Sequence, residues 1–215
     1  MNLRRIGIFC GILSPVLWLS FIGIAGAMRP EFSHVTNYIS ELGERGSSTE
    51  IMMRVAAFGF TGFLYPCFAL ALLATFRDGW QSMVAAGLIA LDGVGRMGAG
   101  VFACDPGCGG LSLDQELHHT FATVGFLSGV LSAIAWGIVF RRLDWPPLIA
   151  WYSVASGTLA LILLLLMTWP GNPVHAVGLF EHLATAVLSL WILFFAVRLM
   201  FYPAPASKET LHEQH

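Results

Sequence analysis

Long apolar stretches separated by short polar segments run through the whole chain. Each stretch is long enough to cross a hydrocarbon core as a helix, which takes roughly 20 residues, and inside a bilayer backbone amides must pair within their own segment. The pattern therefore predicts an all-α fold: one domain over residues 1–202, an integral membrane bundle of six transmembrane helices, with a polar, disordered cytoplasmic tail over residues 203–215. The six predicted spans cover residues 6–28, 51–76, 80–103, 118–140, 147–169 and 178–201.

The polar stretch between the first two spans has a helical period of its own. Starting at Val35, apolar residues recur at intervals of three, four and seven, while His34, Asn37 and Glu41 fall on the opposite side. The period predicts a short amphipathic helix over residues 33–43, lying in the membrane interface and presenting its polar face to a site. The alternative is a solvated helix that only connects two spans.

Composition and charge agree with the membrane assignment. The chain is 56% hydrophobic and only 11% charged, far from the balance of soluble domains. Its net charge of −2 and its dispersed basic residues do not suggest a nucleic-acid partner, and we expect none. Membrane lipids are the expected partners.

The distribution of cations predicts the orientation. With a cytoplasmic N-terminus, seven cations fall on the cytoplasmic side and three on the other, as the positive-inside rule requires. We expect a multi-pass protein of the cell membrane with both termini cytoplasmic. Alternatively, the first segment is a signal peptide, because "AGA" at residues 25–27 resembles a cleavage site. The seven cations are Arg4, Arg5, Arg77, Arg141, Arg142, Arg198 and Lys208, and the three are Arg29, Arg45 and Arg54.

Histidines and carboxylates concentrate at the predicted outer ends of the spans. Asp105 directly follows the third span, His119 begins the fourth beside a second histidine, and Glu181 and His182 lie one turn into the sixth. Short loops between antiparallel helices can bring such ends together, so we expect an extracytoplasmic polar pocket there. The helix over residues 33–43 would form its lid or wall.

Asp92 and Arg96 place two charges near the middle of the third span. Their spacing of four puts them on one helical face, where they can neutralise each other. An ionisable pair inside a membrane indicates a functional site. The alternative is a structural clip between helices.

Several motifs resemble a bacterial membrane family known as Domain of Unknown Function 998. They are "YISELG" after the first span, "VFACDPG" after the third, a histidine opening the fourth, and "GLFEHL" opening a last span that ends in "AVRL". The resemblance implies a six-helix membrane protein without an established reaction. The chain departs from it at His182, where we expect arginine in the family, and at its Cys104 and Cys108. The residues matching the family pattern are Ser40, Glu41, Gly43, Asp105, His119 and Glu181.

The polar cluster also suggests a metal site. Histidine and carboxylate are zinc ligands, and three protein ligands plus water form a catalytic centre. His119, His182 and Asp105 are the candidate zinc ligands, with Glu41 either as general base or as a partner that orients a ligand. A loose similarity to the alkaline ceramidases implies catalytic roles for Ser40 and Asp105 as well, although the His-x-x-x-His pair of that group is absent. A haem between His119 and His182 is a further alternative.

Two functional hypotheses follow. The leading one is binding of a lipid or small amphiphile in the pocket, by a transporter, sensor or accessory protein. The alternative is a metal-assisted hydrolase acting on a lipid headgroup bond. The candidate ligand-binding residues are His34, Asn37, Glu41, Asp92, Arg96 and Glu181.

Cys104 and Cys108 flank a Pro-Gly turn. On an oxidising face they can form a local disulfide. Because their spacing differs from the Cys-x-x-Cys of redox motifs, a structural role is expected.

Overall fold

The computed structural model describes residues 2–76, 79–170 and 176–202. It confirms the all-α fold, with six helical segments long and apolar enough to cross a membrane and no strand among the described residues. The predicted tail over residues 203–215 lies outside the described residues. The helices are α1 (Leu3–Met28), α2 (Thr61–Thr75, continuing a π-helical segment Met52–Phe60), α3 (Trp80–Val101), α4 (Leu113–Arg142), α5 (Pro147–Thr168) and α6 (Val177–Met200).

Local sequence signals set several helix ends. The Asn2 side chain accepts from the Arg4 backbone N–H at the start of α1, and the Ser112 hydroxyl accepts from the Gln115 N–H at the start of α4. Pro147 occupies the first turn of α5, where its missing N–H costs nothing. The cap at Ser112 explains why α4 begins ahead of the apolar stretch predicted from residue 118.

The helices form a closed ring. Each packs against the next along the chain, and α6 returns to pack against α1. Two apolar clusters fill the interior. One is built around Phe68, Trp136 and Phe195, and the other joins Trp18 of α1 to the loop between α1 and the π-helical segment. We call this loop, residues 29–51, the first loop.

The first loop differs from the predicted amphipathic helix over residues 33–43. Its helical part is a 3₁₀ helix, Ile39–Gly43, preceded by turns and by an extended Tyr38. The difference arises because the Tyr38 and Ile39 amides donate to side-chain carboxylates, which an α-helix through these residues would not allow. Ile39 and Leu42 are buried in the protein, so this helix is part of the fold and does not lie free in the interface.

Cysteine labelling tests the predicted orientation. Ser48 is exposed in the first loop, and Asp144 is exposed at the opposite end of the bundle, between α4 and α5. We expect a membrane-impermeant maleimide added to intact cells to label Ser48→Cys, and to label Asp144→Cys only after lysis. The reverse pattern would contradict the predicted topology. Arg77 and Lys208, two of the cations behind this prediction, lie outside the described residues.

Candidate functional site

A cavity of about 40 Å³, lined by both polar and apolar side chains, lies inside the bundle next to the first loop. One water needs about 10–15 Å³ of such space, so the cavity has room for about three water-sized groups. Its walls come from α1, the first loop, the π-helical segment, α3, α4 and α6. The polar side chains on the walls are Ser40, Asp92, Arg96, His118, Glu181 and Thr185, and the larger apolar ones are Trp18, Phe58, Phe126 and Leu188.

Arg96 is the cation of the cavity and is only 8% exposed. Its Nε donates to Asp92 Oδ1 at 3.2 Å, which is the contact that the spacing of four in the sequence allows. The guanidinium also faces two rings, with 4.7 Å to the Trp18 centroid and 4.8 Å to the Tyr65 centroid. Such contacts stabilise a desolvated cation. Among the described residues, Arg96 Nη1 is buried without a hydrogen-bond partner.

Asp92 sits where a glycine of α4 leaves space for it. A Cβ at Gly129 would lie 2.9 Å from Asp92 Oδ2. The carboxylate therefore packs against the bare backbone of α4, while its other oxygen holds Arg96. Both charges belong to α3, so their ion pair does not itself join two helices.

Glu181 connects the cavity to the first loop. It is 7% exposed, and its Oε2 accepts from the Ile39 backbone N–H at 2.7 Å. Two residues earlier in α6, the Leu179 N–H donates to Val35 O at 3.0 Å. Gly178 permits this approach, since a Cβ there would lie 2.2 Å from Asn37 O. The start of α6 and the first loop are thus bound together backbone to backbone.

Glu41 stabilises the first loop from within. Its Oε1 accepts from the Tyr38 N–H at 2.7 Å, and its Oε2 accepts from Asn37 Nδ2 at 2.6 Å. Both carboxylate oxygens are therefore used by the loop itself. Burial raises the pKa of the nearby Tyr38 phenol, and the negative charges of Glu181 and Glu41 raise that pKa further.

His118, and not the predicted His119, lines the cavity. Its Nδ1 lies 2.9 Å from both Ala99 O in α3 and Phe102 O just after α3. Because both neighbours are carbonyl oxygens, this nitrogen carries the proton and donates to them. His119 is exposed, with its Nε2 2.5 Å from Gln115 Nε2. The sequence contains a signal for His118. Ala122 follows it by four residues and Gly125 follows Ala122 by three, so these small residues lie on the same face of α4 as His118.

The candidate metal ligands have separate partners. His182 pairs with His34 through a contact of 2.9 Å between His182 Nε2 and His34 Nδ1. The Asp105 carboxylate accepts from the Ser112 hydroxyl at 2.8 Å. His119, Asp105 and His182 are therefore not brought together, and no group of three or more His, Cys, Asp or Glu side chains suited to a metal occurs within the described part of the chain.

Cys104 and Cys108 form a disulfide that packs against Ser40. Ser40 Oγ lies 3.4 Å from Cys108 Sγ, and Ser40 O lies 3.5 Å from Cys104 Sγ. Nearby, the Gly107 N–H donates to a Glu44 carboxylate oxygen at 2.5 Å. The disulfide loop thus supports the wall of the cavity to which Ser40 belongs, and the serine hydroxyl has no adjacent base among these contacts.

Comparison with known families agrees with this architecture. The model of a family described as protein of unknown function (DUF998) matches residues 12–198. The chain belongs to this family. The match confirms the resemblance found in the motifs, and it includes every residue that lines the cavity of this DUF998 protein. No curated protein and no solved structure matches the chain.

Proposed function

We propose that this DUF998 protein binds the polar group of a membrane lipid, or of another small amphiphile, in the central cavity. The supporting observation is a set of buried polar atoms on the cavity-lining residues that have no hydrogen-bond partner among the described residues. They are Arg96 Nη1, Trp18 Nε1 and Thr185 Oγ1. Native proteins pair nearly all buried polar atoms, and each unpaired one costs about 1–3 kcal/mol. A ligand that pairs with them would offset this cost.

The intrahelical ion pair argues against a purely structural role. A clip between helices would use a donor on one helix and an acceptor on another, whereas Asp92 and Arg96 both lie on α3. The Arg96 guanidinium faces the Trp18 ring of α1 and the Tyr65 ring of α2, and its Nη1 has no hydrogen-bond partner among the described residues, so it keeps donor capacity. Charges kept inside a membrane without an interhelical partner are typical of binding sites.

The size of the cavity favours an amphiphile over a large soluble ligand. Pockets for drug-sized molecules have volumes of about 300–1,000 Å³, whereas this cavity holds about 40 Å³. Only a small polar group fits, and the surrounding membrane supplies molecules in which such a group is joined to an apolar tail. Binding of this kind would serve a transporter, a sensor or an accessory protein.

Trp18 provides an optical test of ligand binding. Its ring lines the cavity and faces Arg96 at 4.7 Å, so a ligand at Arg96 should change its emission. We expect dihexanoyl phosphatidylethanolamine or phosphatidylglycerol, added to the purified protein, to give a saturable fluorescence change. Trp18→Phe should abolish the change. Thr185→Val, which removes one unpaired hydroxyl at nearly constant volume, should weaken binding several-fold.

Trp151 is the matched control for this test. It is 62% exposed on α5 and lines no part of the cavity, so Trp151→Phe should keep the saturable change. The proposal fails if neither lipid gives a saturable signal in the wild type. It also fails if Trp18→Phe responds as the wild type does, because the signal would then arise outside the cavity.

A further inference from the structure

We infer that the bound polar group is a zwitterion in which an oxyanion, a carboxylate or a phosphate, is joined to a primary ammonium by a short linker. Arg96 binds the oxyanion and Glu181 binds the ammonium. This inference rests on the proposed function and names the chemistry of its ligand. It comes from the donors, the acceptors and the charges that line the cavity.

The unpaired donors of the cavity call for an oxyanion. Arg96 uses its Nε for Asp92, and its Nη1 is buried without a hydrogen-bond partner among the described residues. The two terminal nitrogens form the edge of the guanidinium that binds carboxylate or phosphate in a bidentate manner. Trp18, 3% exposed, adds a second buried donor at Nε1. The flanking Trp18 and Tyr65 rings hold the guanidinium in place for such a ligand.

The carboxylates of the cavity retain capacity to accept hydrogen bonds. Two carboxylate oxygens offer about four acceptor sites. Glu181 uses one for the Ile39 N–H, and Asp92 uses one for Arg96. A primary ammonium has three donors and matches this remaining capacity. Glu181 is the better placed of the two, because it forms no ion pair with a basic side chain in the described part of the chain, whereas Asp92 is paired with Arg96.

Charge balance selects a zwitterion over a simple ion. Two carboxyl groups, those of Asp92 and Glu181, and one guanidinium, that of Arg96, line the cavity. A simple anion would pair with Arg96 but leave the free acceptor sites of the carboxyl groups unpaired, and it would bring an uncompensated charge into a medium where unpaired charge is costly. A cation would pair with the carboxyl groups but leave the Arg96 and Trp18 donors unpaired. A zwitterion adds no net charge, and it can pair with both the donors and the carboxyl acceptors of the cavity.

Lipids that differ only in the headgroup test this inference. We expect dihexanoyl phosphatidylethanolamine to bind at least tenfold more tightly than dihexanoyl phosphatidylglycerol, which is anionic. It should also bind more tightly than dihexanoyl phosphatidylcholine, whose quaternary ammonium has no N–H donor. The readout is the saturable change in Trp18 emission. Free sn-glycero-3-phosphoethanolamine, a phosphodiester zwitterion like the lipid headgroup, forms a separate arm: affinity equal to that of the lipid would identify a soluble zwitterion as the ligand, and weaker binding would identify the lipid headgroup.

Glu181→Gln isolates the ammonium contact. Glutamine keeps a carbonyl oxygen for the Ile39 N–H, so the loop stays in place, but it loses the charge that would bind the ammonium. The ratio of the affinity for phosphatidylethanolamine to the affinity for phosphatidylglycerol should fall toward one. Glu116→Gln, an exposed carboxylate on the same side of the bundle, should retain the full preference.

The possible failures are distinct. If phosphatidylethanolamine and phosphatidylglycerol give saturable changes with equal affinity, the zwitterion inference is wrong and the proposed function stands. A preference that persists in Glu181→Gln would overturn the role of Glu181. If no probe changes the Trp18 emission, the proposed function itself is wrong.

Discussion

Asp92→Ala is expected to lower the free energy of unfolding by about 3–5 kcal/mol, the cost of leaving one partner of a buried ion pair uncompensated. Arg96 is 8% exposed and has its only ionic contact with Asp92 among the described residues. Without that carboxylate, its charge would keep the Trp18 and Tyr65 rings beside it but would have no ionic partner among the described residues. Reversible denaturation of the purified protein in mixed micelles, followed by circular dichroism, measures the loss.

The double variant Asp92→Ala/Arg96→Met separates lost charge compensation from lost packing. Methionine keeps much of the apolar length of arginine but carries no charge, and replacing a buried pair by apolar residues is often close to neutral. We therefore expect the double variant to recover more than half of the loss. If the losses of Asp92→Ala and Arg96→Met simply add, the two side chains are not coupled and the ion pair does not stabilise α3.

The spans and the ion pair could be predicted because their signals are local. Backbone pairing in a bilayer must be completed within each segment, so apolar length alone locates α1 to α6. Likewise, the contact between Asp92 and Arg96 follows from a spacing of four on one helix. Helix ends are less predictable from hydropathy, as α4 shows: its first turn is polar and depends on the Ser112 cap.

The remaining parts of the site depend on contacts between distant parts of the chain. His182 lies next to His34, and Glu181 accepts from Ile39, although these pairs are 148 and 142 residues apart. No period in the sequence encodes either contact. The same contacts decide the conformation of the first loop, because a carboxylate on α6 binds an amide that an α-helix over residues 33–43 would use internally.

The adjacent His118 and His119 show a different limit of prediction from the sequence. Both are histidines and either could serve a ligand site, so residue type alone does not tell which of the two lines the cavity. Successive residues of a helix point about 100° apart, and only one of the two can face the interior. The row of small residues that continues from His118 to Ala122 and Gly125 marks the inward side of α4, and this row is visible in the sequence.

Gly95→Ala is expected to destabilise the bundle by about 1–3 kcal/mol, the usual cost of overpacking a close contact. An added Cβ would lie 2.5 Å from both the Cα and the N of Gly125, so backbone would meet it and no side chain could move aside. The only relief is to separate α3 from α4. Since Arg96 and Gly125 line the cavity from these two helices, we expect weaker ligand binding as well.

Gly87→Ala is the control on the same helix. Gly87 is exposed, and an added Cβ there would meet nothing within 4 Å. Alanine should therefore leave the fold unchanged or stabilise α3 by up to about 1 kcal/mol through its higher helix propensity. Unfolding in the same mixed micelles compares the two variants directly. Equal shifts would mean that the effect of Gly95→Ala comes from the backbone of α3 alone, whereas opposite signs would show that the close approach of α3 and α4 at Gly95 stabilises the bundle.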